Sequence, residues 1–318
     1  MAAPMRIVFC GTPAFAVPSF QHLLAQSDFN VLAVITQPDR PRGRGHEMAE
    51  SAVKQAATAA GIAVYQPEKV RVPEVQQLLE RLAPDAIVII AYGQIIPARL
   101  LPIPRFGWIN LHASLLPKYR GAAPINWAIA NGETTTGVTS MRIDAGMDTG
   151  DILLRREISI GVDETAPELV ARLAEFGAPL ISETLRGLAS GKLQPVPQDH
   201  AAATYAPMLR REDGRIDWTL PAVQIYNRLR GFAPWPGAFT AFRGQICHLW
   251  GEPVSNPERE KTAAGSPGTL AHANGVVRVA CGDSTFLRVT SLKLEGRKQV
   301  SAAEFVNGIR LKPDERFV

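Results

Sequence analysis

The sequence predicts a Rossmann-like α/β domain, doubly wound around a parallel sheet, followed by a small OB-like β-barrel. Three observations carry that expectation. Short apolar runs alternate with helix-periodic segments through residues 1–190. A Pro-rich polar stretch, residues 191–208, follows as a linker. Five short runs broken by turn signals then occupy residues 209–318. A chain of 318 residues is long enough for two such cores.

Residues 6–10 are apolar and β-prone and stop at Gly11-Thr12-Pro13. A helical pattern over 15–24 precedes a second strand at 31–36. Helices at 49–60 and 72–82 are interleaved with strands at 62–65 and 86–90. Continuous apolar strands separated by helices indicate a sheet covered on both faces. The first turn lacks the Gly-x-Gly-x-x-Gly dinucleotide fingerprint, which argues against a nicotinamide or flavin cofactor. Further strands are expected at 107–109, 136–143 and 152–158. A long helix over 165–188 places Leu169, Leu173, Phe176 and Leu180 on one face. Beyond the linker, a helix at 222–229 leads into strands at 238–242, 245–250, 269–271, 276–280 and 285–294, with a closing helix at 302–307.

Composition excludes several classes. With 46% apolar and 20% charged residues this is ordinary globular material, and no apolar run reaches the ~18 residues of a membrane span. The start lacks the charged and apolar regions of a signal peptide, so a cytoplasmic protein with no membrane partner is expected, as a monomer. Cys10, Cys247 and Cys281 have no paired spacing and six His residues are scattered, so neither a disulfide framework nor a metal site is expected. The net charge of +4 is uneven: residues 201–318 carry 16 Lys/Arg against 11 Asp/Glu, residues 1–200 carry 18 against 19. A basic second half suits a phosphate-rich partner.

The most informative run is Asn110-Leu111-His112-Ala113-Ser114-Leu115-Leu116-Pro117, followed by Lys118-Tyr119-Arg120-Gly121-Ala122-Ala123-Pro124. On a strand ending there, Asn110 and His112 share a face. An amide donor and an imidazole then stand together at a strand end, where open α/β sheets bind ligands. Asp144, Asp148 and Asp151 lie downstream, and any of them could supply a carboxylate. Such a set stabilises charge and moves protons without a covalent nucleophile.

This run, with the Asp-x-Gly segment after it, resembles the signature of the folate-dependent formyltransferases. Residues 9–13, the basic loop Thr36-Gln37-Pro38-Asp39-Arg40-Pro41-Arg42-Gly43-Arg44-Gly45 and Pro234-Trp235-Pro236 resemble the branch that formylates methionyl-tRNA. The resemblance implies transfer of formyl from 10-formyl-tetrahydrofolate to the methionine amine of initiator tRNA. It implies Asn110, His112 and Asp148 as the catalytic set, with Ser114, Leu115, Leu116 and Pro117 lining the folate site. It implies that the loop carrying Arg40, Arg42 and Arg44 meets the tRNA acceptor stem. Lys192, Arg210, Arg211, Arg215 and Lys293 are expected backbone contacts. Arg142, in the strand leading to Asp144, is expected to face solvent or pair with a carboxylate. A sugar-nucleotide formyltransferase shares the catalytic signature and is the alternative enzyme; a non-catalytic RNA-binding module is the alternative from another class.

Overall fold

The computed structural model describes residues 3–42, 47–254, 265–273, 275–312 and 315–318. Strands β1 (Met5–Gly11), β2 (Phe29–Ile35), β3 (Arg40–Arg42), β4 (Glu47–Ala49), β5 (Val64–Tyr65), β6 (Ala86–Ile90), β7 (Trp108–His112), β8 (Thr135–Arg142) and β9 (Ile152–Ser159) come first. Their helices are α1 (Val17–Leu24), α2 (Ala52–Ala59), α3 (Pro73–Leu82), α4 (Pro124–Ala130) and α5 (Ala166–Ala189). Seven of the strands form one sheet in the order β5-β2-β1-β6-β7-β8-β9. Pairing is parallel from β5 through β7, but β8 pairs antiparallel with both β7 and β9. The expected parallel sheet is therefore mixed. The apolar runs predict strands but carry no direction, and β8 and β9 follow one another through a loop instead of a helical crossover.

Local chemistry sets the helix ends. Ser51 caps α2 by accepting from the Lys54 N–H. Pro73 opens α3, where its missing N–H costs nothing, and Ala83 ends that helix in the left-handed region. Ile7, Val8, Phe9 and Cys10 are fully buried, as a strand covered on both faces requires. The segment expected to be loop around Arg40 includes a short ribbon, β3 paired antiparallel with β4.

Past the first sheet come α6 (Ala222–Gly231), β10 (Phe239–Phe242), β11 (Gln245–Pro253), β12 (Leu270–Ala273), β13 (Val276–Ala280), β14 (Phe286–Leu294), β15 (Val300–Ser301) and α7 (Ala302–Ile309). The antiparallel sheet runs β10-β11-β14-β13-β12, with β15 beside β14. Ser301 and Glu304 form a capping box that starts α7. The last residues join the sheet's two edges. The Val318 and Ala241 N–H groups each donate to the other's carbonyl, while the Phe317 N–H donates to Gly268 and the Leu270 N–H to Glu315. That closure removes exposed edges, as a barrel does. Phe317 stacks on Trp218 at 5.5 Å and meets Phe242 edge-on. Phe317→Leu is expected to lower unfolding free energy by about 1 kcal/mol through lost ring packing. Chemical denaturation followed by tryptophan fluorescence checks this.

Contacts divide the chain into two compact units that are not sequential. One holds residues 1–124, 135–159 and 169–207; the other holds 125–134, 160–168 and 208–318. In the second unit, α6 collects the two inserted segments. Asn126 donates to the Gly231 carbonyl, Arg230 donates to the carbonyls of Gly161 and Glu164, and Trp127 meets Phe232 edge-on at 5.2 Å. Gly231 has no room for a side chain there, since a Cβ would stand 2.7 Å from the Asn126 oxygen. Residues 191–207, read as linker from their prolines, pack within the first unit: Val196 pairs with Ile152, and Gln198 is buried. Cys10, Cys247 and Cys281 are free and buried, and burial pushes the Cys247 thiol up to about 11.

Candidate active site

Strand β7 delivers Asn110 and His112 at its C-terminal end, in register with Met141 and Thr139 of β8. The alternation places both on one face, as the strand period requires. The Asn110 amide is half-buried and has no hydrogen-bond partner among the described residues. His112 is buried, and its Nε2 donates to the Tyr119 carbonyl at 2.8 Å. A carbonyl can only accept, so Nε2 carries a proton and donates it, which leaves Nδ1 turned toward Asp148. The Asp148 Oδ2 stands 3.7 Å from Nδ1, an ion-pair distance too long for a hydrogen bond.

The loop after β7 holds both partners. Thr139 donates its hydroxyl to the Ser114 carbonyl at 2.6 Å and accepts from the Leu116 N–H at 3.1 Å, pinning the loop to β8. Tyr119 (φ 59°) and Gly121 (φ 119°) both turn left-handed. The Gly121 N–H donates to Asp148 Oδ2 at 2.8 Å. Only glycine fits at 121, because a Cβ would lie 2.7 Å from the Ala206 oxygen. Asp148 itself has φ 55°. The structure thus brings His112, Asp148 and the backbone of 119–121 together.

The three aspartates take different positions. Asp144 accepts from the Gly146 N–H and the Thr149 hydroxyl and so shapes the turn. The Asp151 side chain has no hydrogen-bond partner among the described residues, and its backbone carbonyl receives the Arg142 N–H. Asp148 is the one facing the imidazole. Arg142 departs from expectation. It is half-buried, pairs with no carboxylate among the described residues, and its buried Nε lacks a hydrogen-bond partner. It stands opposite Ile109 of β7.

The four residues expected to line a folate site divide. Ser114 is buried with its hydroxyl donated to the Lys118 carbonyl, and Leu116 is fully buried against Met141 and Ile152. Leu115 and Pro117 keep partial exposure. Apolar residues in a Pro-rich loop do not announce which way they point, and here two of the four close the loop on itself.

The basic residues are dispersed. Arg40 is exposed at the start of β3; only the backbone of Arg42 is described, and Arg44 lies outside the described residues. The base of the β3–β4 ribbon is anchored by Asp39, which accepts from Lys54 and from Gln66; the Lys54 hydrogen bond is the main cause holding its carboxyl below the ordinary value. Lys192, Arg210, Arg211, Arg215 and Lys293 are all exposed. Lys293 pairs in register with His248, and burial, then Lys293 and less strongly Arg211, push that imidazole below its usual value. Arg211 and Lys293 thus both act on His248. Among the described residues no group of three His, Cys, Asp or Glu side chains could hold a metal ion, and no helix is long and apolar enough to cross a membrane.

The chain has counterparts among known proteins. The formyl transferase family model matches residues 5–185, and the formyl transferase C-terminal domain model matches residues 208–310. A methionyl-tRNA formyltransferase from Solibacter usitatus is 53% identical over 98% of this chain and 98% of its own length. Its counterpart from Acidobacterium capsulatum is 52% identical over 98% of this chain and 99% of its own. The chain belongs to the methionyl-tRNA formyltransferase family. In fold it is also similar to WlaRD, a sugar 3N-formyl transferase crystallised in the presence of dTDP and 5-N-formyl-THF. That match has a TM-score of 0.64 at 18% identity and covers 93% of this chain and 100% of that one.

Proposed function

We propose that this chain transfers the formyl group of 10-formyl-tetrahydrofolate to the α-amino group of methionine on initiator tRNA. The observation that carries the reading is that Asn110, whose amide has no partner among the described residues, shares a strand face with His112, whose Nδ1 stands 3.7 Å from the Asp148 carboxylate. The names of the matching relatives support methionyl-tRNA as the acceptor. The folate supplies an electrophilic formyl carbon. The amine nitrogen bonds to that carbon, and the bond from carbon to the folate nitrogen then breaks.

The protein's part is to stabilise charge and move one proton. The Asn110 amide, without a partner among the described residues, donates an N–H to the oxyanion that forms on the formyl oxygen. His112 is held in one orientation by the Tyr119 carbonyl, so its Nδ1 is the atom that meets reacting groups. Asp148 stands where it can accept the amine's proton, directly or through Nδ1 or a water, and that proton is returned to the departing folate nitrogen. Leu115 and Pro117, the partly exposed residues of the loop, fit a wall for the apolar part of the folate.

The test is incubation of the purified protein with 10-formyl-tetrahydrofolate and methionyl-tRNA, with a search for N-formylmethionine. Transfer to an amino-sugar nucleotide in its place would establish the sugar branch. For the basic loop expected to meet tRNA, Arg42→Ala and Arg44→Ala are each expected to weaken tRNA binding by about 1–3 kcal/mol where the side chain reads a base edge. The loss is smaller, with a flatter salt dependence, where it meets phosphate alone. Folate affinity is expected to stay unchanged. Separate titrations of tRNA and folate across a salt series check both statements.

A further inference from the structure

We propose that Gln198, locked by Arg120, is a positioning residue that aims Asp148 at His112, a proposal that rests on the formyl-transfer reading of that pair. Gln198 falls in a Pro-rich stretch that reads as solvated linker, yet it is only 5% exposed. Its amide uses its full hydrogen-bonding capacity. The oxygen accepts from Arg120 Nε at 3.1 Å and Nη2 at 2.7 Å. The nitrogen donates to the Asp148 carbonyl at 2.9 Å and the Gly150 carbonyl at 2.7 Å. Only one amide orientation satisfies these partners, since a guanidinium has donors alone and a carbonyl accepts alone.

The two carbonyls bracket the turn at Asp148. With φ at 55°, Asp148 holds a conformation that L-residues keep only where their surroundings impose it. Gln198 supplies that constraint from one side, and the Gly121 N–H on the carboxylate supplies it from the other. Arg120 is the cost of the arrangement. Its side chain is 2% exposed, and among the described residues no carboxylate pairs with it; its other side-chain partner is His200 Nδ1, which receives Nη2 at 3.2 Å. A buried guanidinium without a counter-ion is unfavourable for stability alone. The same segment also braces the imidazole's support. The Arg120 N–H donates to the Thr204 carbonyl at 2.8 Å, and the Ala206 N–H donates to the Arg120 carbonyl at 2.7 Å, fixing the backbone between Tyr119 and Gly121. Residues 198–206 therefore hold both members of the pair.

A double-mutant cycle tests this. Gln198→Glu keeps the acceptor for Arg120 but deletes both donors to the Asp148 turn. It is expected to lower kcat about 10- to 100-fold with both KM values within about twofold. Gln198→Asn, which keeps the amide one methylene short, is expected to recover part of the loss, and it carries the same test if the glutamate variant fails to fold. Added to Asp148→Asn, Gln198→Glu is expected to cost less than about threefold more, because the group it positions is already disabled. A folded Gln198→Glu enzyme with normal kcat would overturn the proposal. So would losses that multiply in the double variant, since Gln198 would then act elsewhere. Normal turnover in Asp148→Asn alone would instead remove the underlying reading, and the positioning role with it.

Discussion

Replacing His112 with alanine is expected to slow formyl transfer about 100- to 1000-fold while leaving tRNA affinity nearly intact. Both ring nitrogens have an assigned place: Nε2 on the Tyr119 carbonyl and Nδ1 toward Asp148. Alanine removes the group that meets the reacting atoms and also leaves the Tyr119 carbonyl without its buried donor. Some of the damage is therefore local rearrangement of the 119–121 loop. Asn110→Ala separates the two effects, because the Asn110 amide has no protein partner to strand among the described residues. It is expected to lose a comparable factor through the oxyanion alone, with an unchanged thermal midpoint. Single-turnover rates and tRNA titrations on both variants check this; wild-type rates in both would dismiss the assignment of the pair.

Much of this arrangement was legible in the residues, and what was hidden has physical reasons. Apolar runs and turn residues located most strands of both units, because burial on two faces or one leaves a period in the sequence. Direction leaves none, so the reversal at β8 and β9 was invisible. The closing role of residues 315–318 was equally hidden, since a backbone ladder to Gly268 and Ala241 needs no particular side chains. At the site, strand alternation was enough to pair Asn110 with His112. The groups that hold His112 and Asp148 were not legible. They are a carbonyl at Tyr119, an N–H at Gly121 and a glutamine that composition assigned to a linker. Pro-rich polar composition marks a chain without regular structure, but it does not mark whether that chain is exposed. Arg142 failed for a related reason: a strand pattern shows that a side chain points away from its neighbours, not what it meets.

Among the three aspartates of the turn, Asp148→Asn is expected to be the most damaging, with a loss of at least about 100-fold in kcat. The substitution isolates charge from geometry. The Gly121 N–H needs an acceptor, and an amide nitrogen cannot serve, so the asparagine oxygen takes the place of Oδ2. That same oxygen is the one facing His112 Nδ1, and the backbone bonds from Gln198 are untouched. What disappears is the negative charge beside the imidazole and the capacity to accept the amine's proton. Asp144→Asn keeps an oxygen for the Gly146 N–H and the Thr149 hydroxyl, so its loss is expected to be small. Asp151→Asn disturbs no side-chain hydrogen bond among the described residues and is expected to be smaller still. Steady-state rates for the three variants, each with a melting curve to exclude unfolding, rank them. If Asp151→Asn proved the worst of the three, the proton acceptor would have to be moved from Asp148 to Asp151, and the 3.7 Å pairing with His112 would be left as a structural contact.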